Sequence, residues 1–236
     1  MKISRLDLDG RSPEGLVTKI LKAEPQMSYP VPIEQLAKAL DIDEIAELPD
    51  GSVEGCLVTD QYKSTGFILV NGSASPGRRR FTIGHELGHF LIPTHKPVDG
   101  DRFLCKREDI QKWSTVDQSR YDRMEVEANR FSALILMPPP LLRRYMGKFR
   151  DPNLTQVLEM HRDFDVSKDA AARAFATYHG ENVAVMVLRE GKVQRCYKSQ
   201  SLSFPDPVVL RRSSCGRPTS IRWRVEDVEH WLVTRR

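Results

Sequence analysis

Phe81-Thr82-Ile83-Gly84-His85-Glu86-Leu87-Gly88-His89-Phe90-Leu91 is the stretch from which the rest of this chain is read. Its centre has the form H-E-x-x-H. Residues four apart on a helix share a face, so His85 and His89 stand one turn apart. Two imidazoles so placed can share one divalent metal at Zn–N distances of about 2.0–2.1 Å. Glu86 projects beside that face, where it reaches a water at the metal rather than the metal itself. Phe81, Ile83, Leu87, Phe90 and Leu91 supply apolar contacts, which predicts a helix buried on most sides. Gly84 and Gly88 each cost up to roughly 1 kcal/mol relative to Ala in a helix. Glycines kept at that cost predict the close approach of a substrate strand or of another element's backbone, and Pro93 then ends the helix. The same letters would suit a helix with two solvated histidines, so a metal reading needs a third ligand.

The next strong helical pattern runs from Tyr121 to Met137. Glu125 and Asn129 lie four apart and share a face. A carboxylate there can serve as third ligand, and an amide one turn on can hold a ligand histidine by its other ring nitrogen. Small Ala128 between them lets this helix lie close against the first. Taken alone, the pattern also describes a surface helix with solvated glutamates. Between the two helices, residues 93–119 read as irregular, with Pro93, Pro97 and Gly100 before a short Phe103-Leu104-Cys105 stretch. A connection of that length inside a domain is often functional, such as a substrate rim or lid. His95 and Cys105 lie in it and could ligate metal in principle, although a single His or Cys on a loop more often serves packing.

H-E-L-G-H followed by E-x-E-A-N-x-F-x-x-x-x-L-M-P resembles the ImmA/IrrE family of zinc metallopeptidases. Leu69-Val70-Asn71 and the run Arg80-Phe81-Thr82-Ile83 are also similar to that family, and the likeness covers residues 30–145. The resemblance implies an α+β, zincin-like metallopeptidase core of helices packed on a small β-sheet, with zinc as cofactor. Carried over residue by residue, it makes His85 and His89 metal ligands, Glu86 the catalytic base and Glu125 the third ligand. Glu127 is the alternative third ligand; the E-x-x-A-N spacing, which puts Asn129 in register, favours Glu125. Ser132 stands where the family usually has alanine, a sterically small change. The resemblance further implies a narrow protein substrate, a helix-turn-helix transcriptional repressor whose cleavage releases stress-response or mobile-element genes.

The 236 residues can bury an ample core, and 40% hydrophobic with 29% charged residues is ordinary for a soluble globular protein. A net charge of +4 gives little support to nucleic-acid binding. Cys56, Cys105, Cys196 and Cys215 show no C-x-x-C spacing, which fits free cytosolic thiols. No signal-peptide core and no run of ~20 apolar residues is present, so a cytoplasmic protein without membrane spans is expected.

Around the two motifs, Ser12-Pro13-Glu14 and Pro32 to Leu40 begin helices, and Gly55 to Val70 reads as a β-hairpin. Arg78-Arg79-Arg80 are poorly placed for the helix dipole, which predicts carboxylate partners and no catalytic role. Leu154 to Phe164 and Lys168 to Tyr178, with Ser167 as N-cap, form two helices joined by a turn. That pattern resembles a helix-turn-helix, yet packing is its commoner use. Beyond Gly180 the chain turns β-rich, with a hairpin about Glu190-Gly191, strand-like pieces at Val208 to Leu210 and Ile221 to Trp223, and a closing helix over Val225 to Val233. We therefore expect a metallopeptidase domain over residues 1–179 and a C-terminal β-rich subdomain or appendage over 180–236. Tyr121, His161, Tyr178 and His179 are all open as donors to a developing oxyanion. A non-catalytic zinc-containing module that binds a partner protein or DNA is the competing function, and an intact Glu86 argues against it.

Overall fold

Residues 1–8, 12–48, 53–97, 102–110, 112–113, 119–149, 152–189, 192–200, 221–222 and 230–235 are described by a computed structural model. They fall into two compact units, residues 1–138 with 164–166, and residues 139–163 with 167–236. The grouping differs from a division at 179/180, because two helices placed in the first domain by sequence, Leu154–Asp163 and Lys168–Tyr178, contact the C-terminal strands, and a third, Pro139–Met146, packs on the latter.

In the first unit, a 3-10 turn at Arg5–Asp7 leads to α1 (Pro13–Ala23). Ser12 caps α1 by accepting from the Gly15 N–H at 3.2 Å, with Pro13 in the first turn, as the start signal predicts. α2 (Ile33–Ala39) and β1 (Ile42–Leu48) follow. β2 (Gly55–Thr59) and β3 (Gly66–Asn71) form the expected hairpin, pairing Leu57 with Ile68. β4 (Arg102–Cys105) and α4 (Arg107–Ile110) lie within the stretch expected to be irregular. The sheet order is β1-β3-β2-β4, with β1 parallel to β3 and β4 antiparallel to β2 along the edge.

Against this sheet lies α3 (Pro76–Leu91), buried from Thr82 to Leu91. It ends at Ile92, whose extended backbone (ψ 115) is what a following Pro93 demands. α5 (Arg120–Leu136), capped by Ser119, packs along α3. The two glycines are where the helices meet. A Cβ on Gly88 would stand 3.3 Å from the Ala128 Cα, and one on Gly84 would stand 2.6 Å from the Ser132 hydroxyl. The close neighbour that the glycines predict is therefore α5. Ser132 is more than a small residue, since its hydroxyl donates to the Phe81 carbonyl at 2.7 Å. Arg79 reaches Glu34 and Glu47, each at 3.2 Å, and Arg80 reaches Asp165 at 3.3 Å, the carboxylate partners expected of the arginine run.

In the second unit, α6 (Pro139–Met146), α7 (Leu154–Asp163) and α8 (Lys168–Tyr178) precede β5 (Val183–Arg189) and β6 (Lys192–Lys198). Ser167 caps α8 by accepting from the Ala170 N–H, as read from the sequence. β7 (Ile221–Arg222) and β8 (His230–Arg235) complete a sheet of order β6-β5-β8-β7. The closing helix is corrected here: its end, from His230 onward, is a strand. Pairing with β5 in the register Val185↔Val233 gives its backbone groups partners that helical propensity cannot outweigh. Val183 to Val187 are buried on both faces of β5. Val208 to Leu210, Trp223 and residues 225–229 lie outside the described residues. Among the described residues no helix is long and apolar enough to cross a membrane.

Candidate metal centre

α3 and α5 bring His85, His89 and Glu125 together in a buried site. The Nε2 atoms of the two histidines face each other at 3.0 Å. One Glu125 carboxylate oxygen lies 3.3 Å from the His85 Nε2 and the other 3.5 Å from the His89 Nε2. Atoms this close need either a proton or a cation between them.

The outer partners decide which. The Asn129 amide nitrogen donates to the carbonyls of Asp109 (2.7 Å) and Lys112 (2.8 Å), so its oxygen is left as an acceptor. That oxygen sits 3.0 Å from the His85 Nδ1, which must therefore carry the hydrogen, leaving Nε2 with a bare lone pair. A second chain acts on His89. The Glu127 carboxylate accepts from the His95 Nε2 at 2.9 Å, so the His95 Nδ1 is bare and accepts from the His89 Nδ1 at 3.1 Å. His89 too then turns a lone pair inward. Burial, ahead of neighbouring charges, holds His89 down at about 4 and His95 at about 2, so both are neutral near pH 7. Burial pushes the Glu125 carboxyl up, while hydrogens or positive charge on the side of the His85 and His89 Nε2 atoms outweigh that and hold it well below the usual range; with both Nε2 atoms bare, that part falls to a cation. Two lone-pair nitrogens and an ionised carboxylate facing one point repel each other unless a cation joins them. That donor set fits a divalent metal.

Glu86 lies beside this group, fully buried, and among the described residues neither of its carboxylate oxygens has a hydrogen-bond partner. Such a group costs several kcal/mol unless something bound supplies the partner. Burial first, then the charges of Glu125 and Asp109, raises its affinity for a proton. β2 closes one side: a Cβ on Gly55 would lie 2.7 Å from a Glu86 oxygen. Only glycine leaves that carboxylate room.

One further group enters from the 93–119 connection and another from the first turn of α5. Cys105, at the end of β4, places its sulfur 3.1 Å from the His85 Nε2 and 3.9 Å from Glu125. His85, Cys105 and Glu125 present donor atoms all within 4.8 Å of one another. Burial and the surrounding carboxylates raise the Cys105 thiol's affinity for its proton, a bias that a bound cation reverses. Tyr121 donates to the Asp109 carboxylate at 3.0 Å and lines, with His89, Arg102 to Cys105 and Glu125, a cavity of about 80 Å³. His161, Tyr178 and His179 belong to the other unit. Sequence reasoning named His95 and Cys105 without ranking them above ordinary loop residues. The one available signal for Cys105 was its place at the end of an apolar Phe103-Leu104-Cys105 run.

Residues 37–175 match the sequence model of a peptidase family described as the IrrE N-terminal-like domain. The match takes in more than half of the chain and every residue of the centre. The chain belongs to that family. Two curated IrrE relatives can be set beside this IrrE-like chain. The radiation response metalloprotease IrrE of Deinococcus radiodurans is 29% identical over 128 residues, which cover 54% of this chain and 36% of that protein. Its counterpart from Deinococcus deserti is 28% identical over 141 residues, 60% and 45% of the two chains. The chain thus spans less than half the length of either relative. A solved Mycobacterium tuberculosis transcriptional regulator shares the fold, with a TM-score of 0.50 at 16% identity over 79% of this chain and 54% of its own. The IrrE-like assignment agrees with the α+β architecture and with a cluster between α3, α5 and β4 that could hold a metal ion.

Proposed function

We propose that this IrrE-family chain is a zinc-dependent metalloendopeptidase that hydrolyses a peptide bond in a narrow protein substrate. Glu86 carries the reading: a purely structural metal site has no use for a buried carboxylate with neither oxygen bonded among the described residues. His85, His89 and Glu125 would hold the ion, with Asn129 orienting His85 and the His95–Glu127 pair orienting His89. Their two nitrogens and one carboxylate are a donor set that suits zinc. When bound, zinc supplies Lewis acidity and a water acidified to a pKa of about 7. Glu86 takes the proton as water attacks the scissile carbonyl, then hands it to the leaving amine. Tyr121 is the oxyanion donor best supported among the four candidates, since it lines the cavity beside Glu125. Burial, with the charges of Glu125 and Asp109, keeps its hydroxyl protonated, and donating to an oxyanion requires that hydrogen to turn from the Asp109 carboxylate.

The family resemblance supports a helix-turn-helix repressor as substrate and stress-linked transcription control as the setting. The test incubates the zinc-loaded chain with helix-turn-helix repressors, any encoded next to its gene first, with and without chelator. Cleavage should stop with chelator and fall by about 10²–10⁴-fold in Glu86→Gln, while that variant keeps its zinc. Unchanged cleavage by Glu86→Gln would remove the base assignment. A repressor that binds both forms and is cut by neither would leave a zinc-containing binding module.

A further inference from the structure

We propose that Cys105 is a fourth metal donor, and that β4 thereby holds the centre in a closed resting form. The inference rests on the metallopeptidase reading and concerns how that same site is regulated. A catalytic zinc needs three protein ligands and one open position, whereas four protein ligands make a closed, structural site. His85, His89 and Glu125 supply three. The Cys105 sulfur is buried with them, 3.1 Å from the His85 Nε2. That nitrogen is the bare one, because the His85 Nδ1 hydrogen is committed to Asn129. Without a cation the thiol's own hydrogen points to it. With one, the thiol proton leaves to solvent and the sulfur bonds to the metal as thiolate.

β4 also stands in the way of substrate. It is the edge strand, pairing antiparallel with β2 in the register Gly55↔Cys105 and Leu57↔Phe103. An extended peptide that adds to a sheet takes an unpaired edge, and β4 occupies that edge of β2 beside Glu86. Its four residues line a cavity of about 80 Å³, which holds a few waters but falls far below the roughly 300–1,000 Å³ of a ligand pocket. The closure is a light one. β4 spans only Arg102–Cys105, held on its inner face by Phe103 against the His89 ring at 4.8 Å and by Cys105 itself, while Leu104 is half exposed. Lifting one short strand would free the fourth coordination position and the edge of β2 together.

Cobalt(II) in place of zinc reports both claims without a substrate. The native chain should show a thiolate-to-cobalt charge-transfer band in the near ultraviolet, and acetohydroxamate, a small bidentate probe of open coordination positions, should leave its spectrum unchanged. Cys105→Ala and Cys105→Ser should bind cobalt at the same stoichiometry, lose the band and respond to acetohydroxamate. A native chain that binds cobalt without the band, or whose spectrum shifts with acetohydroxamate as the variants' do, overturns the proposal and leaves the peptidase reading intact. A native chain with the band and a closed spectrum, whose zinc-loaded Cys105→Ala form cuts neither helix-turn-helix repressors nor an unfolded peptide mixture, keeps the fourth ligand and sinks the peptidase. Failure to bind cobalt at all sinks both. The native spectrum decides the ligand question even if a variant does not fold.

Discussion

Asn129 shows how much one side chain settles. Its nitrogen is spent on two carbonyls, so its oxygen fixes the tautomer of His85 and aims a lone pair inward. Asn129→Ala should therefore weaken metal affinity about 10–100-fold, read by competition against a chromogenic chelator. Glu127→Gln should do less, because it acts on His89 only through His95. Affinities indistinguishable from native in both would mean that the outer hydrogen bonds do not hold the ligands. At this scale the sequence was legible where spacing along a helix sufficed. His85, Glu86, His89, Glu125 and Asn129 all follow from three- and four-residue steps, and Glu127 met His95 rather than standing beside Glu125 at the centre. His95 and Cys105 sit on a connection with no period, and their positions depend on where β4 pairs.

The α3–α5 contact is set by two glycines and a serine. Gly84→Ala would bring a methyl within 2.6 Å of the Ser132 hydroxyl, and overpacking of this kind costs about 1–3 kcal/mol. Ser132→Ala alone loses the bond to the Phe81 carbonyl, worth about 0.5–1.5 kcal/mol. Together the two changes should cost less than their sum, because the second removes the atom that the first collides with. Urea midpoints of the three variants check this, and simple additivity would show that the helices do not meet there. The other end of α3 carries a pH signature. The Lys63 ammonium donates to the carbonyl of His89 (2.5 Å), which the helix leaves without a backbone donor at Pro93, and to that of Ile92 (2.8 Å), which also accepts from the His95 N–H. Burial, then the charge of Arg5, lowers its pKa from 10.5 to about 8. Between those values the unfolded chain keeps a proton that the folded chain has released, so the Lys63 contribution to stability rises with pH across that window. Relative to Lys63→Met, the native chain should gain stability from pH 8 to 10.5 and show a constant difference below pH 7. A difference that does not change with pH would contradict the burial.

For the molecule as a whole, every residue of the proposed metal site lies in the first of two compact units. A ligand that binds only the folded form stabilises it by about 4 kcal/mol at a thousandfold excess over Kd. Chelation should accordingly speed amide hydrogen exchange in α3 and α5 while leaving β5 and β6 at their holo rates. Equal loss in both units would show that the two fold as one. The family match over residues 37–175 runs through both groups of contacts. Shared ancestry and contact density therefore divide this chain differently.

Read alone, the sequence determined the local geometry where its pattern was strong: the helices α1, α3, α5 and α8, which of their side chains share a face, and the hairpin of β2 and β3. Those follow from periods of 3.6 and 2 residues and from capping chemistry, all set within a few residues. Only tertiary structure decided the β4 pairing, the strand at His230–Arg235 and the arrival of Cys105 and His95 at the centre. Pairing between distant strands depends on which backbone edges remain free after the rest has packed, and no short stretch of residues encodes that.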